Sequence, residues 1–266
     1  MPTPTSSVPN QTFSPARFGR LFGRHTAENL RTYGLAAAVL AGGMLLVMSY
    51  LSYLQGAPAN VSVQGIFFVL FLMAAGSFFS SGVFADFGDK RKGMAALTLP
   101  ASHFEKFLVA WLYSLPIFLL VFVVLFYLVN AAVLHAAAGQ GESPAMLDIT
   151  VDWSKTGSIL LSYALLNAAW LWGSIFFERA QFVKMGFLLF LLGGTLSVLN
   201  FQWLKRLLEP GLAAVPPFAN VVLMSGNTMN RLALPEAQTA WLSLLPLALA
   251  ALIWVAAYYR LTEKQL

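Results

Sequence analysis

The strongest constraint on this chain is where its charges are missing. Between Arg31 and Asp86 there are 54 residues without an Asp, Glu, Lys or Arg. Four more apolar uncharged runs follow, between Lys106 and Glu142, Lys155 and Glu178, Lys184 and Lys205, and Glu236 and Arg260. A helix needs roughly 20 mostly apolar residues to cross a bilayer, so each of these runs accommodates a span and the first accommodates two. The first run breaks at Gln55-Gly56-Ala57-Pro58-Ala59-Asn60, where Gly, Pro and Asn favour a turn. The spacing predicts six spans, at about 34–54, 61–84, 107–135, 156–177, 182–204 and 238–260. The composition agrees: 58% of the residues are hydrophobic and only 10% charged, too few to cover a water-facing surface. The expected fold is therefore an all-α polytopic membrane protein.

The third run exceeds what a bilayer requires and contains Pro116, so a kink or tilt is expected there. One further uncharged run, from Glu209 to Arg231, carries Pro210, Pro216, Pro217, Asn220, Asn227 and Asn230. Its apolar parts are short, and the segment 205–237 reads as interfacial or re-entrant pieces outside the span count.

Charge also predicts orientation. With the N-terminus cytoplasmic, twelve of the sixteen Lys and Arg residues fall on inner segments. Only Lys155, Lys205, Arg206 and Arg231 fall on outer ones. This positive-inside bias places both termini in the cytoplasm and accounts for the net charge of +5 without a nucleic-acid partner. Residues 1–12 are polar and Pro-rich and read as a disordered tail.

Two inner elements carry further information. Over 13–33, Arg17, Arg20, Arg24 and Arg31 recur at helical spacing on one face, with Phe18, Leu21 and Phe22 beside them. That pattern predicts an in-plane amphipathic helix, its aromatic side toward acyl chains and its four arginines toward anionic lipid headgroups. Between spans two and three lies 86–106, a basic cluster Lys90-Arg91-Lys92 followed by Gly93, an apolar stretch and Leu99-Pro100-Ala101-Ser102. Ser102 with Glu105 three residues on is the pattern of a helix-starting capping box.

In its order of parts the chain resembles the membrane subunit (permease) of an ABC-2 type transporter. That family has an N-terminal in-plane helix, six spans, and a basic-Gly-apolar-Leu-Pro-x-Ser segment between spans two and three. It also has outer non-spanning pieces between spans five and six. The resemblance in layout covers almost the whole chain, and the specific motif covers about 86–107. Leu-Pro-Ala-Ser followed by Glu-Lys-Phe is similar to small bacterial permeases of this group. The resemblance implies that Lys92, Gly93, Leu97, Leu99, Pro100 and Ser102 dock onto an ATP-binding subunit. It also implies a second permease subunit, as homo- or heterodimer, and a place in the bacterial plasma membrane. Many members carry Thr and Glu after the glycine where this chain has Met94-Ala95-Ala96, so the docking expectation rests on the shape of the segment.

Absent motifs narrow the chemistry. No Gly-x-x-x-x-Gly-Lys-Ser/Thr loop occurs, so any ATP would be bound by another polypeptide. There is no Cys, no His-Glu-x-x-His and no Gly-x-Ser-x-Gly, and no cofactor or enzyme activity is expected of this chain. His25, His103 and His135 sit far apart near span ends. The span interiors offer uncharged polar residues: Ser77, Ser80, Ser81, Asn130, Ser162, Tyr163, Asn167, Thr195 and Ser197. They are expected to hydrogen-bond between helices, with Gly42-Gly43 and Gly193-Gly194 permitting close helix approach. The uncharged interior argues against proton coupling and suits a lipidic or amphipathic substrate. The alternative is a non-transport membrane protein (immunity, sensor or assembly factor) on the same six-helix scaffold.

Overall fold

The computed structural model describes residues 13–83, 102–138, 144–177, 179–207, 221–225, 228–232 and 236–263. Its helices are α1 (Pro15–Gln55), α2 (Val61–Gly82), α3 (His103–Leu112), α4 (Phe118–Ala137), α5 (Trp153–Phe176), α6 (Gln181–Leu207) and α7 (Glu236–Glu263). A single wide π-turn, Tyr113–Ile117, joins α3 to α4. Six of the resulting helical units are long and apolar enough to cross a membrane, the number expected from the charge gaps. The chain is thus a multi-pass membrane protein, helical among the described residues apart from one short hairpin.

That hairpin lies in the segment expected to be non-spanning. Strands β1 (Val221–Ser225) and β2 (Thr228–Leu232) pair antiparallel, with Ser225 opposite Thr228 across a two-residue loop. Gly226-Asn227, the sequence between them, is a dipeptide favoured in such loops, and β-branched Val221 and Val222 favour a strand.

The first helix departs from expectation. Residues 13–33 do not form a helix separate from span one: they are the first half of α1, which runs unbroken for 41 residues. No Pro and no pair of glycines interrupts the chain near residue 33, so nothing stops the helix there. At 1.5 Å per residue α1 is about 60 Å long, twice the hydrocarbon thickness of a bilayer. It ends at Gly56, which takes the left-handed conformation (φ 62°) that terminates helices and suits glycine.

α1 and the α3–α4 unit run parallel along their whole length. Ser14 and Arg17 meet Glu105 at the start of α3. Thr26 and Tyr33 meet Tyr113. Met44 and Met48, both fully buried, join a core with Phe67, Phe68, Leu72, Phe122, Phe126 and Tyr163. Here Phe68 sets its ring edge-on to Phe122 and Phe126, the arrangement aromatic quadrupoles favour.

α5 is the central helix. Ala164, Ala168, Ala169 and Gly173 keep its faces small, so neighbours approach closely. Tyr163 packs toward Gly76 on α2, where a Cβ would fall 2.3 Å from the tyrosine ring. Met185 of α6 packs onto Gly173 in the same manner. On the remaining side Leu171 and Ile175 form a second core with Phe107, Ala110, Ala257 and Leu261. Gly76 and Gly173 permit the tightest approaches, and Gly186 lets Trp170 come to 3.3 Å of its Cβ position. Among the described residues, nothing lies within 4 Å of a Cβ placed on Gly42, Gly43, Gly193 or Gly194, the pairs expected in that role.

Candidate functional site

Three polar assemblies interrupt the apolar bundle, and the first sits where the 86–106 segment enters α3. Ser102 caps α3 as its spacing predicts: its hydroxyl accepts the Glu105 N–H at 3.2 Å, and Glu105 Oε2 accepts the Ser102 N–H at 2.9 Å. The same carboxylate reaches across to α1. Its Oε1 accepts the backbone N–H of Ser14 at 2.8 Å, the residue just before α1, and lies 3.3 Å from Arg17. Both Ser14 and Ser102 are N-caps, so one carboxylate meets orphan N–H groups at the starts of two helices. Glu105 is fully buried, and a buried carboxylate persists when charge-assisted donors surround it.

Arg17, expected with the other arginines to face headgroups, also pairs with Glu105 and keeps 29% of its side chain exposed. Arg20, Arg24 and Arg31 remain exposed. Arg24 pairs with Glu28 one turn on, at 2.7 Å. Of the face expected to meet acyl chains, Phe18, Leu21 and Phe22 are each half-buried, and Phe22 packs inside the protein. Phe22, His25 and Tyr33 all pack on the Tyr113 ring, with centroids 5.1, 4.7 and 5.4 Å away. Thr26 and Tyr113 share a hydrogen bond through their hydroxyls. Of the six residues expected to dock a partner, Ser102 is thus placed. Lys92, Gly93, Leu97, Leu99 and Pro100 lie outside the described residues.

The second assembly forms at the π-turn, eight residues after Glu105. Pro116 has no N–H and cannot continue the i to i−4 ladder, and the turn widens around it. The Phe118 N–H bonds the carbonyls of Tyr113 and Leu115, leaving the Ser114 carbonyl without its usual donor. Side chains from α5 supply replacements: the Tyr163 hydroxyl donates at 2.9 Å and the Asn167 amide at 3.0 Å. Asn167 also donates to the Ser80 hydroxyl of α2 at 2.8 Å. All four residues are buried, so α2, α5 and the kinked third span are joined at one point.

At the opposite end of the bundle Gln64, also fully buried, is the centre of the third assembly. Its amide donates to the carbonyls of Ala59 and Ala145 at 2.8 and 2.9 Å. Its oxygen accepts the Asn130 amide at 2.9 Å and the Leu147 N–H at 2.8 Å. The Tyr127 hydroxyl donates to the Leu147 carbonyl and Thr156 to that of Ile149. Residues 145–149 are thereby fastened across α2, α4 and α5. Ser80, Asn130, Tyr163 and Asn167 bond between helices as expected. Ser81, Ser162 and Ser197 instead return their hydroxyls to carbonyls of their own helices. Gln64 was not among the residues singled out in the sequence, although an amide inside an apolar span is itself a signal.

Among the described residues no three His, Asp or Glu side chains converge in a metal-binding arrangement. What the three assemblies offer is mechanical: a fixed junction near one end, a bend mid-way, and a clamp at the other end. No family model matches the sequence, and no curated protein or solved structure matches it.

Proposed function

We propose that this chain is the membrane-spanning subunit of an ATP-driven transporter of the ABC-2 type. In this reading it works as a dimer in the bacterial plasma membrane with both termini cytoplasmic, and a separate P-loop subunit supplies ATP. A lipidic or amphipathic substrate fits the lack of charged residues in the span interiors.

One observation carries the reading: the 86–106 segment, whose motif resembles a coupling helix, includes Glu105, and Glu105 bonds at the starts of both α1 and α3. A push delivered to that segment reaches two helices at once. α3 then transmits it over about 12 Å, eight residues at 1.5 Å each, to the π-turn. Because a widened turn lacks the regular ladder, it is the natural place for α3 to swing relative to α4. The hydrogen bonds from Tyr163 and Asn167 to Ser114 pass that movement to α5 and α2. The coupling free energy comes from ATP binding and hydrolysis on the partner.

The test is to replace Leu97, Leu99 and Pro100 together with Ser and to measure association of the ATP-binding subunit. The proposal expects loss of association while the helical circular-dichroism signal and melting temperature of the isolated chain stay unchanged. Normal association and transport by that variant would remove the docking assignment.

A further inference from the structure

At the clamped end of the bundle, α2 from Val61 to Met73 and the first turns of α5 line a half-open cleft of about 930 Å³ beneath residues 146–152. That lies near the top of the range of about 300–1,000 Å³ seen for small-molecule sites. The cavity is not a packing accident at a loose edge. Its roof is the stretch that Gln64, Tyr127 and Thr156 hold by hydrogen bonds, so the space beneath is braced open. Gly65 widens the wall: a Cβ there would still be 3.9 Å from Leu147.

Length and polarity describe what would fill it. Val61 to Met73 spans twelve helical steps, about 18 Å, against about 15 Å for the hydrocarbon of one leaflet. The inner part is apolar, with Phe68, Leu70, Met73 and Ile159. Charges occur only at the mouth, as Asp148, Asp152 and Lys155. Asp152 caps α5, its Oδ1 accepting the Lys155 backbone N–H. The other two side chains carry opposite charges and do not pair with each other. The Lys155 ammonium makes no ion pair or hydrogen bond among the described residues. Asp148 accepts the Thr150 hydroxyl and N–H on Oδ1, which holds its carboxyl below the usual range and leaves Oδ2 available. Trp153, next in sequence to Asp152, is exposed, and an indole suits a membrane interface.

We propose that this cleft holds one zwitterionic phospholipid of the adjoining leaflet. Its acyl chains lie along α2, its phosphate meets Lys155, and its primary amine meets Asp148. A detergent or an annular lipid would fill the apolar part alike, whereas the separated cation and anion at the mouth select a headgroup bearing both signs. The site does not depend on coupling to an ATP-binding subunit.

The experiment uses the full chain, purified in mild detergent and delipidated, with phosphatidylethanolamine or phosphatidylglycerol added back. Retained lipid is counted by native mass spectrometry, and an acyl-diazirine phosphatidylethanolamine maps the contact. The wild-type chain should retain one phosphatidylethanolamine and be labelled on the peptides carrying Met73 and Met146. Retention should fall about tenfold in Lys155→Gln and in Asp148→Asn, the scale of one charge-assisted hydrogen bond. Gly65→Phe, which fills the cleft, should abolish it, and Phe190→Ala on the exposed face of α6 should leave it unchanged. If Gly65→Phe fails to fold, the two charge variants still decide. Labelling as strong on α6 as on α2, equal retention in the charge variants, or preference for phosphatidylglycerol would each overturn the proposal.

Discussion

Removing the Glu105 carboxylate should release the first half of α1 without unfolding the bundle. Glu105→Ala leaves the backbone N–H groups of Ser14 and Ser102 without their acceptor, now 2.8 and 2.9 Å away. Both N–H groups are half-buried, so each left unmet costs about 1 kcal/mol, the low end of the range for buried donors. Arg17, whose side chain is 29% exposed, rehydrates on losing its partner and adds less than about 1 kcal/mol. The sum is at most about 3 kcal/mol, which raises the local opening constant by up to roughly a hundredfold. Ser102→Ala is the internal comparison. It removes only the cap on the Glu105 N–H and should cost about 1 kcal/mol, roughly a fivefold effect. Hydrogen–deuterium exchange reads both, in peptides covering 13–26 and 102–112. A peptide across Ala168–Ile175 in the middle of the bundle serves as the unaffected reference. Met44 and Met48 anchor the second half of α1 independently, so its exchange should not change. If Glu105→Ala exchanges at 13–26 within about twofold of wild type, or less than Ser102→Ala, the junction does not hold these helices together.

Four other substitutions follow from the same geometry. Gly76→Val places a branched side chain where even a Cβ falls 2.3 Å from the Tyr163 ring, and should lower stability by about 1–3 kcal/mol through forced repacking, read as a drop in melting temperature. Gln64→Leu deprives the Asn130 amide and Leu147 N–H of their acceptor and frees the Ala145 carbonyl. Exchange across 145–149 should rise more than tenfold while α3 is unaffected, on the basis of about 1–3 kcal/mol per unmet buried group. Tyr163→Phe removes one of two donors to the Ser114 carbonyl and should cost about 0.6–1.7 kcal/mol in lipid. Asn167→Leu, which removes a bond to Ser114 and another to Ser80, should cost more, and a reversed order on a denaturation curve would contradict the shared-acceptor geometry.

Much of this architecture is legible in the sequence because a membrane imposes it directly. A run free of charge has few places to be other than in lipid, so six spans follow from gaps between Lys, Arg, Asp and Glu alone. The Ser102 cap is equally local, since its reciprocal bonds join residues three apart. Pro116 announces a disturbed ladder, though not that the turn would widen and hand the Ser114 carbonyl to α5. Contacts between distant residues are where the pattern is silent. Arg17 belongs to a tidy arginine series, and only the meeting with Glu105, 88 positions away, separates it from the other three. The Phe18 to Tyr33 face has the composition of a lipid-facing surface, and aromatic residues suit a protein seam just as well. The glycine pairs are ambiguous for a similar reason. Small residues permit close approach without saying to what, and the tightest approaches occur at Gly76 and Gly173, where bulky Tyr163 and Met185 need the room.

The account rests on whether a P-loop ATPase docks onto the 86–106 segment. The direct measurement is to purify the tagged chain from its native membrane in mild detergent, and to determine the stoichiometry of co-purified ATPase and its rate of ATP hydrolysis. The proposed function predicts one ATP-binding subunit per chain, lost from the preparation in the Leu97, Leu99 and Pro100 variant. A homogeneous preparation without ATPase, reproduced in native nanodiscs, would contradict it and leave a six-helix membrane protein whose task is not transport.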